Sequence, residues 1–331
     1  MDSSSNGAYF ANRRQPIEII EGLITESQIV TLAGRIGMGK SPLLQNLTIC
    51  LLTGQPFFGR KVSKRPVIVL DFETPDYTYK VNIERICKRL QVDLPHVPEE
   101  LDVHLEREHG SMLRKKIALP VKGKFDWLRS LLKEKPTAAV IIDPIQIFGN
   151  LDTGKAAEIL KVYGLLRDIM DEYPATFFLT TWNMRKGQAN GKYTPPDLRT
   201  DAHGWLEGVS GSNSILSRSD VRLGLERIDD ELRILNGIIR GQEITPILFR
   251  PAGDWPELAG FERVYDPVAS PSLLAEGRRD SFKKLPHSFR YSDIADVPGT
   301  GIPHSTLTRL LNDCVRLGLI TVDKEGVYVK R

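Results

Sequence analysis

One short glycine-rich segment of the sequence has the residue types that bind a chain of phosphates. It reads Gly34-Arg35-Ile36-Gly37-Met38-Gly39-Lys40-Ser41 and matches the pattern G-x-x-x-x-G-K-[ST]. In this pattern glycines let backbone N–H groups converge on phosphate oxygens, the lysine neutralises phosphate charge, and the serine hydroxyl binds Mg²⁺. Pro42 follows, where the first turn of a helix tolerates a residue without an N–H. Residues 34–42 are therefore predicted to bind a nucleotide, with Lys40 also acting in catalysis.

Three acidic residues at the ends of apolar runs could complete a site for hydrolysis. Asp143 ends one run, and Asp71 and Glu73 end another. Open α/β sheets bind ligands at the carboxyl ends of their strands, so Asp143 is expected to bind Mg²⁺ together with Ser41. The alternative is that Asp143 only caps a turn before a proline. From the residues alone, either Asp71 or Glu73 could act on water, or one of them could cap the following helix.

The elements that must position these residues follow from the apolar pattern. Short β-branched runs alternate with stretches at helical spacing, which is typical of a mostly parallel sheet covered by helices on both faces. The fold class is therefore predicted to be α/β. The predicted strands lie at residues 28–33, 66–71, 101–105, 138–143, 175–181, 221–227, 233–240 and 246–250, and the predicted helices lie at residues 43–52, 76–91, 124–134 and 155–171.

Length and composition bound the domain organisation. A chain of 331 residues, 41% of them hydrophobic, is long enough for one large and one small domain. We expect a flexible leader at residues 1–17, an α/β domain at 18–250, a Pro- and Gly-rich linker at 251–269 and a small α+β domain at 270–331. The sequence has neither an apolar run of the ~18 residues that cross a bilayer nor a secretory signal, so a cytoplasmic protein is expected. Its three cysteines have no metal-ligand spacing.

Residues 270–331 account for the whole net charge of the chain. They hold ten Lys or Arg and seven Asp or Glu, and the difference equals the total of +3. Positive charge favours binding to the phosphates of nucleic acid, and a solvated basic surface is the alternative explanation.

A helix, a turn, a second helix and a hairpin are predicted in that order within residues 290–331. Leucines at helical spacing define one face of the second helix, Gly318 ends it, and residues 319–322 and 327–330 alternate as the hairpin strands. This order resembles a winged helix, whose second helix enters the major groove of duplex DNA. A module that binds a partner protein is the alternative. The candidate DNA contacts on this helix are Ser305, Thr306, Thr308, Arg309 and Asn312.

With these motifs assembled, the sequence resembles the RepA-type ATPases, a RecA/DnaB-like family that includes hexameric plasmid replicative helicases. The likeness covers about residues 18–250. Besides residues 34–41, it rests on Gly22-Leu23-Ile24, Thr53-Gly54-Gln55-Pro56-Phe57-Phe58-Gly59, Leu70-Asp71-Phe72-Glu73, Ile141-Ile142-Asp143-Pro144 and Ser210-Gly211-Ser212-Asn213-Ser214.

The resemblance implies a RecA-like core that hydrolyses ATP with Mg²⁺, with Glu73 as the carboxylate that activates water and Asp143 as the acid on the Mg²⁺ side. It also implies a homo-oligomeric ring, a hexamer, with ATP between subunits and single-stranded DNA in the central channel. The leading hypothesis is a DNA-dependent motor, a replicative helicase of a mobile element. The alternatives are an ATP switch tethered to duplex DNA and a loader ATPase whose winged helix binds a partner protein, both without unwinding.

Two positions depart from the pattern of this family. Where the family usually has His-His followed by a basic pair, this sequence has Trp182-Asn183-Met184-Arg185-Lys186, so Asn183 takes the position of the γ-phosphate sensor. An amide can still hydrogen-bond a phosphate. The trans-acting basic pair, commonly Lys-x-Arg, corresponds to Arg240-Gly241-Gln242, which lacks the second cation. Arg240 could reach the γ-phosphate of a neighbouring subunit or be an ordinary surface arginine.

Residues 183–207 form a predicted loop that would face the channel of such a ring. Its candidate phosphate contacts are Arg185, Lys186, Lys192 and Arg199, and its candidate stacking residues are Tyr193 and Trp205. Acidic residues of the same segment nearly balance this charge, so a disordered loop or a subunit interface remain alternatives.

Overall fold

The structure of the protein is a computed structural model. It describes residues 15–93, 100–152, 154–184, 196–209, 214–228, 232–253, 259–264, 276–295, 302, 304–316, 319–323 and 325–330. The strands are β1 (Glu18–Ile20), β2 (Ile24–Thr25), β3 (Ile29–Gly34), β4 (Val67–Asp71), β5 (Leu101–Leu105), β6 (Ala139–Asp143), β7 (Phe177–Asn183), β8 (Val221–Arg227), β9 (Arg233–Ile239), β10 (Gln242–Glu243), β11 (Ile247–Pro251), β12 (Phe261–Arg263), β13 (Ser288–Arg290), β14 (Ile320–Val322) and β15 (Val327–Lys330). The helices are α1 (Lys40–Thr53), α2 (Asp76–Leu90), α3 (Met112–Ile117), α4 (Val121–Glu134), α5 (Ile145–Gly149), α6 (Ala156–Glu172), α7 (Ala202–Leu206), α8 (Ser214–Arg218), α9 (Glu276–Lys284), α10 (Tyr291–Ala295) and α11 (His304–Arg316).

Most of the described strands form one large sheet. Its strand order is β12-β11-β9-β8-β3-β7-β6-β4-β5, and β10 pairs with β9. The six strands from β8 to β5 in this order run parallel, whereas β9, β11 and β12 are antiparallel to their neighbours. This mostly parallel sheet is that of a RecA-like P-loop core, and the predicted α/β class is confirmed. Each strand and helix predicted for the core occurs, with ends that differ by at most three residues.

The middle strands of the large sheet are buried on both faces. Every residue of β3, β4 and β6 is buried. Ile68 and Leu70 of β4 pack into one core and Val67 and Val69 into the other, because successive side chains of a strand point to opposite faces. Helices α4 and α6 cover the first face, and α1 and α2 cover the second. Among the described residues, none of the helices has the length and apolar character needed to span a bilayer.

The prediction that residues 251–269 form a linker is wrong in part. β12 pairs with β11 and forms one edge of the large sheet, with Phe261 opposite Pro251. Phe261 is buried and packs edge-on against Phe249, with the ring centroids 5.0 Å apart. The glycines and prolines of this region indicated a linker, but a three-residue edge strand forms where an aromatic ring anchors it to the core.

The predicted loop at residues 183–207 also contains ordered, buried structure. Helix α7 packs on the large sheet, and Trp205 is 1% exposed. The ring lies against Gly224 of β8, where an added Cβ would come within 2.6 Å of it. Trp205 is therefore a core residue, and the prediction that it stacks on a base is wrong. Residues 185–195, with the candidates Arg185, Lys186, Lys192 and Tyr193, lie outside the described residues.

A small C-terminal unit contains α9, β13, α10, α11, β14 and β15 in that order. Its three strands form a separate antiparallel sheet with the order β13-β15-β14. The predicted helix and hairpin correspond to α11, β14 and β15. The apolar face of α11 is buried, and Leu307, Leu310, Leu311 and Cys314 are each at most 2% exposed.

Candidate nucleotide-binding site

The glycine-rich segment forms a turn at the carboxyl end of β3. β3 ends at Gly34 and α1 begins at Lys40, so the turn lies between a strand and a helix, as the motif requires. Gly37 and Gly39 have φ values of 83° and 97°, in the left-handed region that favours glycine. Pro42 is in the first turn of α1, where its missing N–H has no helical partner to lose. The start of α1 therefore presents its N–H groups and positive dipole end to the turn.

Lys40 connects this turn with the end of β7. Its Nζ donates hydrogen bonds to the carbonyl oxygens of Gly34 at 3.0 Å and Arg35 at 3.2 Å, and to Oδ1 of Asn183 at 3.1 Å. Burial lowers the pKa of Lys40, and the charges of Asp143 and Glu73 act in the opposite direction. The predicted sensor Asn183 thus lies beside the predicted catalytic lysine.

Asp143 and Ser41 are in direct contact, as expected for a Mg²⁺ site. Ser41 Oγ donates to Oδ2 of Asp143 at 2.7 Å, and Thr181 Oγ1 donates to the other carboxylate oxygen. Asp143 is 3% exposed, and burial raises its pKa to about 6, with a further rise from the charges of Asp71 and Glu73. The two hydroxyl hydrogen bonds oppose this rise. A hydroxyl and a carboxylate in contact form a donor set of the oxygen type that Mg²⁺ prefers.

The structure distinguishes the roles of Asp71 and Glu73. Asp71 is 2% exposed, and its Oδ1 accepts hydrogen bonds from the backbone N–H groups of Glu73 at 2.9 Å and Thr74 at 2.8 Å. Glu73 is exposed and lines the cavity at the glycine-rich turn. Helix α2 begins after Pro75, and no side chain of the described residues caps its first turn. The alternative that Asp71 or Glu73 caps this helix is therefore wrong, and Glu73 is the carboxylate that faces the cavity.

A cavity of about 950 Å³ lies at the glycine-rich turn. Residues 36–42, Glu73 and Asn183 line one part of it. The other part is lined by residues from late strands for which the sequence carries no motif. These residues include Arg227 of β8, Arg233 of β9, Arg250 of β11 and Phe261 of β12. A volume of this size is typical of a site for a nucleotide-sized ligand. These four residues reach the site because β8, β9, β11 and β12 pair within the large sheet, which the sequence alone does not show.

Arg240 lies far from the cavity of its own chain. Residue Arg233 pairs with Arg227 at the carboxyl end of β8, whereas Ile239 pairs with Val221 at its amino end. Arg240 follows Ile239 and is therefore at the opposite edge of the sheet from the glycine-rich turn. It does not contribute to the site of its own chain.

The other candidate DNA contacts occupy different environments. Arg199 is 18% exposed and forms a two-nitrogen ion pair with Asp197, so its charge is neutralised locally. In the C-terminal unit, Arg309 and Asn312 are exposed on α11 and Thr306 is half-buried. Thr308 is exposed and hydrogen-bonded to the Tyr291 hydroxyl at 2.8 Å. The side chain of Ser305 lies outside the described residues.

The geometry defines a P-loop nucleotide-binding protein, because the glycine-rich turn, the lysine and the buried carboxylate meet at the carboxyl edge of a parallel sheet. Residues 2–188 match the family model described as an AAA domain. The match covers more than half of the chain, and the protein belongs to this family. No curated protein matches the sequence.

Proposed function

We propose that the protein is an ATP-hydrolysing motor that assembles into a ring and acts on DNA. The observation that carries the proposal is the joint placement of Lys40, Ser41 and Glu73 around one cavity, with the buried Asp143 hydrogen-bonded to Ser41 behind it. The cavity has the size of a nucleotide site, and the contact between Ser41 and Asp143 offers oxygen ligands to a metal, so the residues fit ATP and Mg²⁺. When bound, Mg²⁺ supplies positive charge to the phosphate oxygens.

Each residue of the site has a role in this proposal. The N–H groups of residues 37–41 and the ammonium group of Lys40 bind the phosphates and neutralise their charge. Glu73 orients the attacking water and accepts its proton. Asn183 uses Oδ1 to accept a hydrogen bond from Lys40, which leaves its NH₂ group as the donor toward the γ-phosphate.

A ring would explain the position of Arg240. It lies at the sheet edge opposite the P-loop of its own chain, so it can act on a nucleotide only in a neighbouring copy. An arginine supplied in trans stabilises the charge that develops on the phosphates during transfer. We propose a hexamer because of the resemblance to hexameric helicases.

The C-terminal unit supplies the contact with duplex DNA in this proposal. Its element order and its sheet order β13-β15-β14 support a winged-helix fold, in which α11 would be the recognition helix. The exposed Arg309 and Asn312 are on this helix, together with Thr306. The excess positive charge of residues 270–331 favours a nucleic-acid partner.

A DNA-tethered ATP switch or loader is the second candidate. Two observations favour it over a motor. Arg199 is ion-paired with Asp197 and Trp205 is buried, so neither is arranged for contact with single-stranded DNA. The γ-phosphate sensor position holds Asn183 rather than histidine, which favours slower or differently gated hydrolysis.

The two candidates differ in their response to single-stranded DNA. We expect a motor to hydrolyse ATP faster with single-stranded DNA, to unwind a forked duplex, and to form a larger oligomer with ATP in light scattering. If single-stranded DNA stimulates hydrolysis, or ATP increases the oligomer size, but the forked duplex is not unwound, the motor is excluded and the switch or loader remains.

The site assignment is tested in the same hydrolysis assay. Lys40→Ala and Glu73→Gln should each lower kcat by at least about 100-fold, because they remove phosphate neutralisation and proton transfer. Lys64→Ala is the matched control, since Lys64 is an exposed lysine paired with Glu100. Unchanged hydrolysis in Lys40→Ala would refute the site.

A further inference from the structure

Asp71 fixes the turn that carries Glu73. β4 ends at Asp71, and Glu73 follows in the turn before α2. The Asp71 side chain accepts the N–H groups of both Glu73 and Thr74 at Oδ1, at 2.9 and 2.8 Å. These are the backbone donors on either side of the Glu73 Cα, so the two bonds determine the direction in which the Glu73 side chain leaves the turn.

The backbone on both sides of this turn is held by separate bonds. The N–H of Phe72 donates to the carbonyl oxygen of Asp143 at 2.9 Å, and the carbonyl oxygen of Asp71 accepts from the N–H of Glu106 at 2.9 Å. Phe72 is itself buried. Removal of the Asp71 carboxylate would therefore leave β4 and Phe72 in place and release only the segment that contains Glu73.

The position of Asp71 is electrostatically unfavourable. Asp71 and Asp143 are directly opposite each other in the neighbouring strands β4 and β6, and both are buried. Like charges at such a distance repel, and a buried carboxylate loses hydration. The two N–H bonds to Asp71 offset this cost, because charge-assisted hydrogen bonds are stronger than neutral ones.

We propose that Asp71 is a positioning residue for hydrolysis, which holds the Glu73 carboxylate at the water that attacks the γ-phosphate. The inference rests on the proposed role of Glu73 and adds a residue that does not itself touch the reactants. Misplacement of a catalytic group by about 1 Å can lower a rate about 100-fold, so the loss of these two bonds acts on kcat.

Two substitutions that make the same change in charge provide the test. Asp71→Asn keeps an Oδ1 acceptor for both N–H groups, whereas Asp71→Ala removes it. We expect Asp71→Ala to lower kcat by about 10- to 100-fold with an ATP affinity within about threefold of the wild type. Asp71→Asn should recover most of the lost rate. Equal loss of kcat in the two variants would overturn the proposal, because the negative charge and not the hydrogen bonds would then matter.

A double-variant cycle shows whether Asp71 acts through Glu73. If it does, Asp71→Ala added to Glu73→Gln should lower kcat by less than about twofold more than Glu73→Gln alone. A merely structural role predicts losses that multiply, and that result would also overturn the proposal. Should Asp71→Ala fail to fold, Asp71→Leu takes its place, since leucine fills the space without an acceptor.

The failure of this inference differs from the failure of the proposed function. If Glu73→Gln hydrolyses ATP at the wild-type rate, the role of Glu73 is wrong and the proposal for Asp71 falls with it. If Glu73→Gln is inactive while Asp71→Ala retains the wild-type kcat, only the role of Asp71 is wrong.

Discussion

The carboxylate of Asp143 is buried, and burial disfavours its charged form. Its contacts are two hydroxyl donors, from Ser41 and Thr181, and its neighbour across the sheet is the carboxylate of Asp71. The pKa of about 6 expresses the cost of ionising such a group. A cation bound beside Asp143 would lower this cost, which supports the proposed binding of Mg²⁺ at this edge of the sheet.

This cost leads to a prediction for stability without nucleotide or Mg²⁺. The folded-state pKa of Asp143, about 6, lies above the ordinary value of 3.8, so the folded protein favours the protonated form. The stabilising effect of protonation is present below pH ~4 and is lost as pH rises through about 6. By this linkage the group lowers the free energy of unfolding by about 3 kcal/mol above pH 7. Asp143→Asn should then be more stable than the wild type at pH 8 and lose that advantage near pH 4.

Urea denaturation in the presence of a chelator measures this difference. Asp126→Asn is the control, because it makes the same change at a carboxylate that is 56% exposed on α4. A stability difference between Asp143→Asn and the wild type that is the same at pH 4.5 and pH 8 would contradict the assignment of the raised pKa.

Single residues of the site were predictable where a motif specifies them. The pattern at residues 34–41 identified Lys40 and Ser41, and the apolar run before Asp143 placed that acid at the carboxyl end of a strand. The choice between Asp71 and Glu73 was not available from the residues alone. It depends on where β4 ends, because the residue inside the strand is buried and the residue beyond it turns toward the cavity.

At the scale of elements, the edge strand β12 packs against α1 and against the P-loop. Asn46 of α1 accepts hydrogen bonds at Oδ1 from Arg89 of α2 at 2.6 Å and from the N–H of Phe261 at 3.3 Å. The ring of Phe261 lies against Gly39, where a Cβ would come within 2.9 Å of Cζ. The edge strand thus contacts the first residues of the nucleotide site directly.

This contact predicts the effect of a methyl group at the P-loop. Gly39→Ala places a Cβ against Phe261 in a backbone with a φ of 97°, so both steric overlap and backbone strain oppose it. We expect ATP affinity to fall at least tenfold, as measured by calorimetry. The control is Gly241→Ala, where φ is 85° but no described atom lies within 4 Å of the added Cβ. It should lose about 1 kcal/mol of stability from strain and bind ATP normally.

A second substitution separates the two causes. Phe261→Leu in the Gly39→Ala background removes the ring that the Cβ meets, and should recover part of the lost affinity. No recovery, or an equal loss in Gly241→Ala, would show that β12 does not constrain the P-loop.

The strands that the sequence pattern did not predict are short, and each depends on pairing with another strand. β12 and β13 each have three residues, too few for a periodic pattern. β12 is held by β11, and β13 by β15. By contrast, β3, β4 and β6 are buried over their full length and were predictable to within a residue at each end. Burial on both faces leaves a clear signal in the sequence, whereas an edge strand is determined by what it packs against.

At the scale of the molecule, the proposed nucleotide chemistry and the proposed DNA contact belong to different sheets. The large sheet carries the P-loop and its carboxylates, and the C-terminal unit carries the positive excess of the chain. Within that unit, α11 buries its leucine face and leaves Thr308, Arg309 and Asn312 exposed. A helix with one buried and one polar face in this order of elements is suited to the major groove.

A substitution of Arg309 in the full-length chain tests whether the C-terminal unit contacts duplex DNA separately from the nucleotide site. Arg309→Ala removes one positive charge from the exposed face of α11, so duplex affinity should fall by about five- to tenfold near 0.1 M salt, and the salt dependence should weaken by about one counterion. ATP hydrolysis without DNA should equal that of the wild type, because Arg309 lies outside the nucleotide cavity. Arg114→Ala, which removes an exposed arginine from α3 of the large unit, is the matched control.

Fluorescence anisotropy over a salt series measures both the duplex affinity and its salt dependence. If Arg309→Ala binds duplex DNA as Arg114→Ala and the wild type do, the exposed face of α11 is not the DNA contact, and a protein partner becomes the better assignment for it.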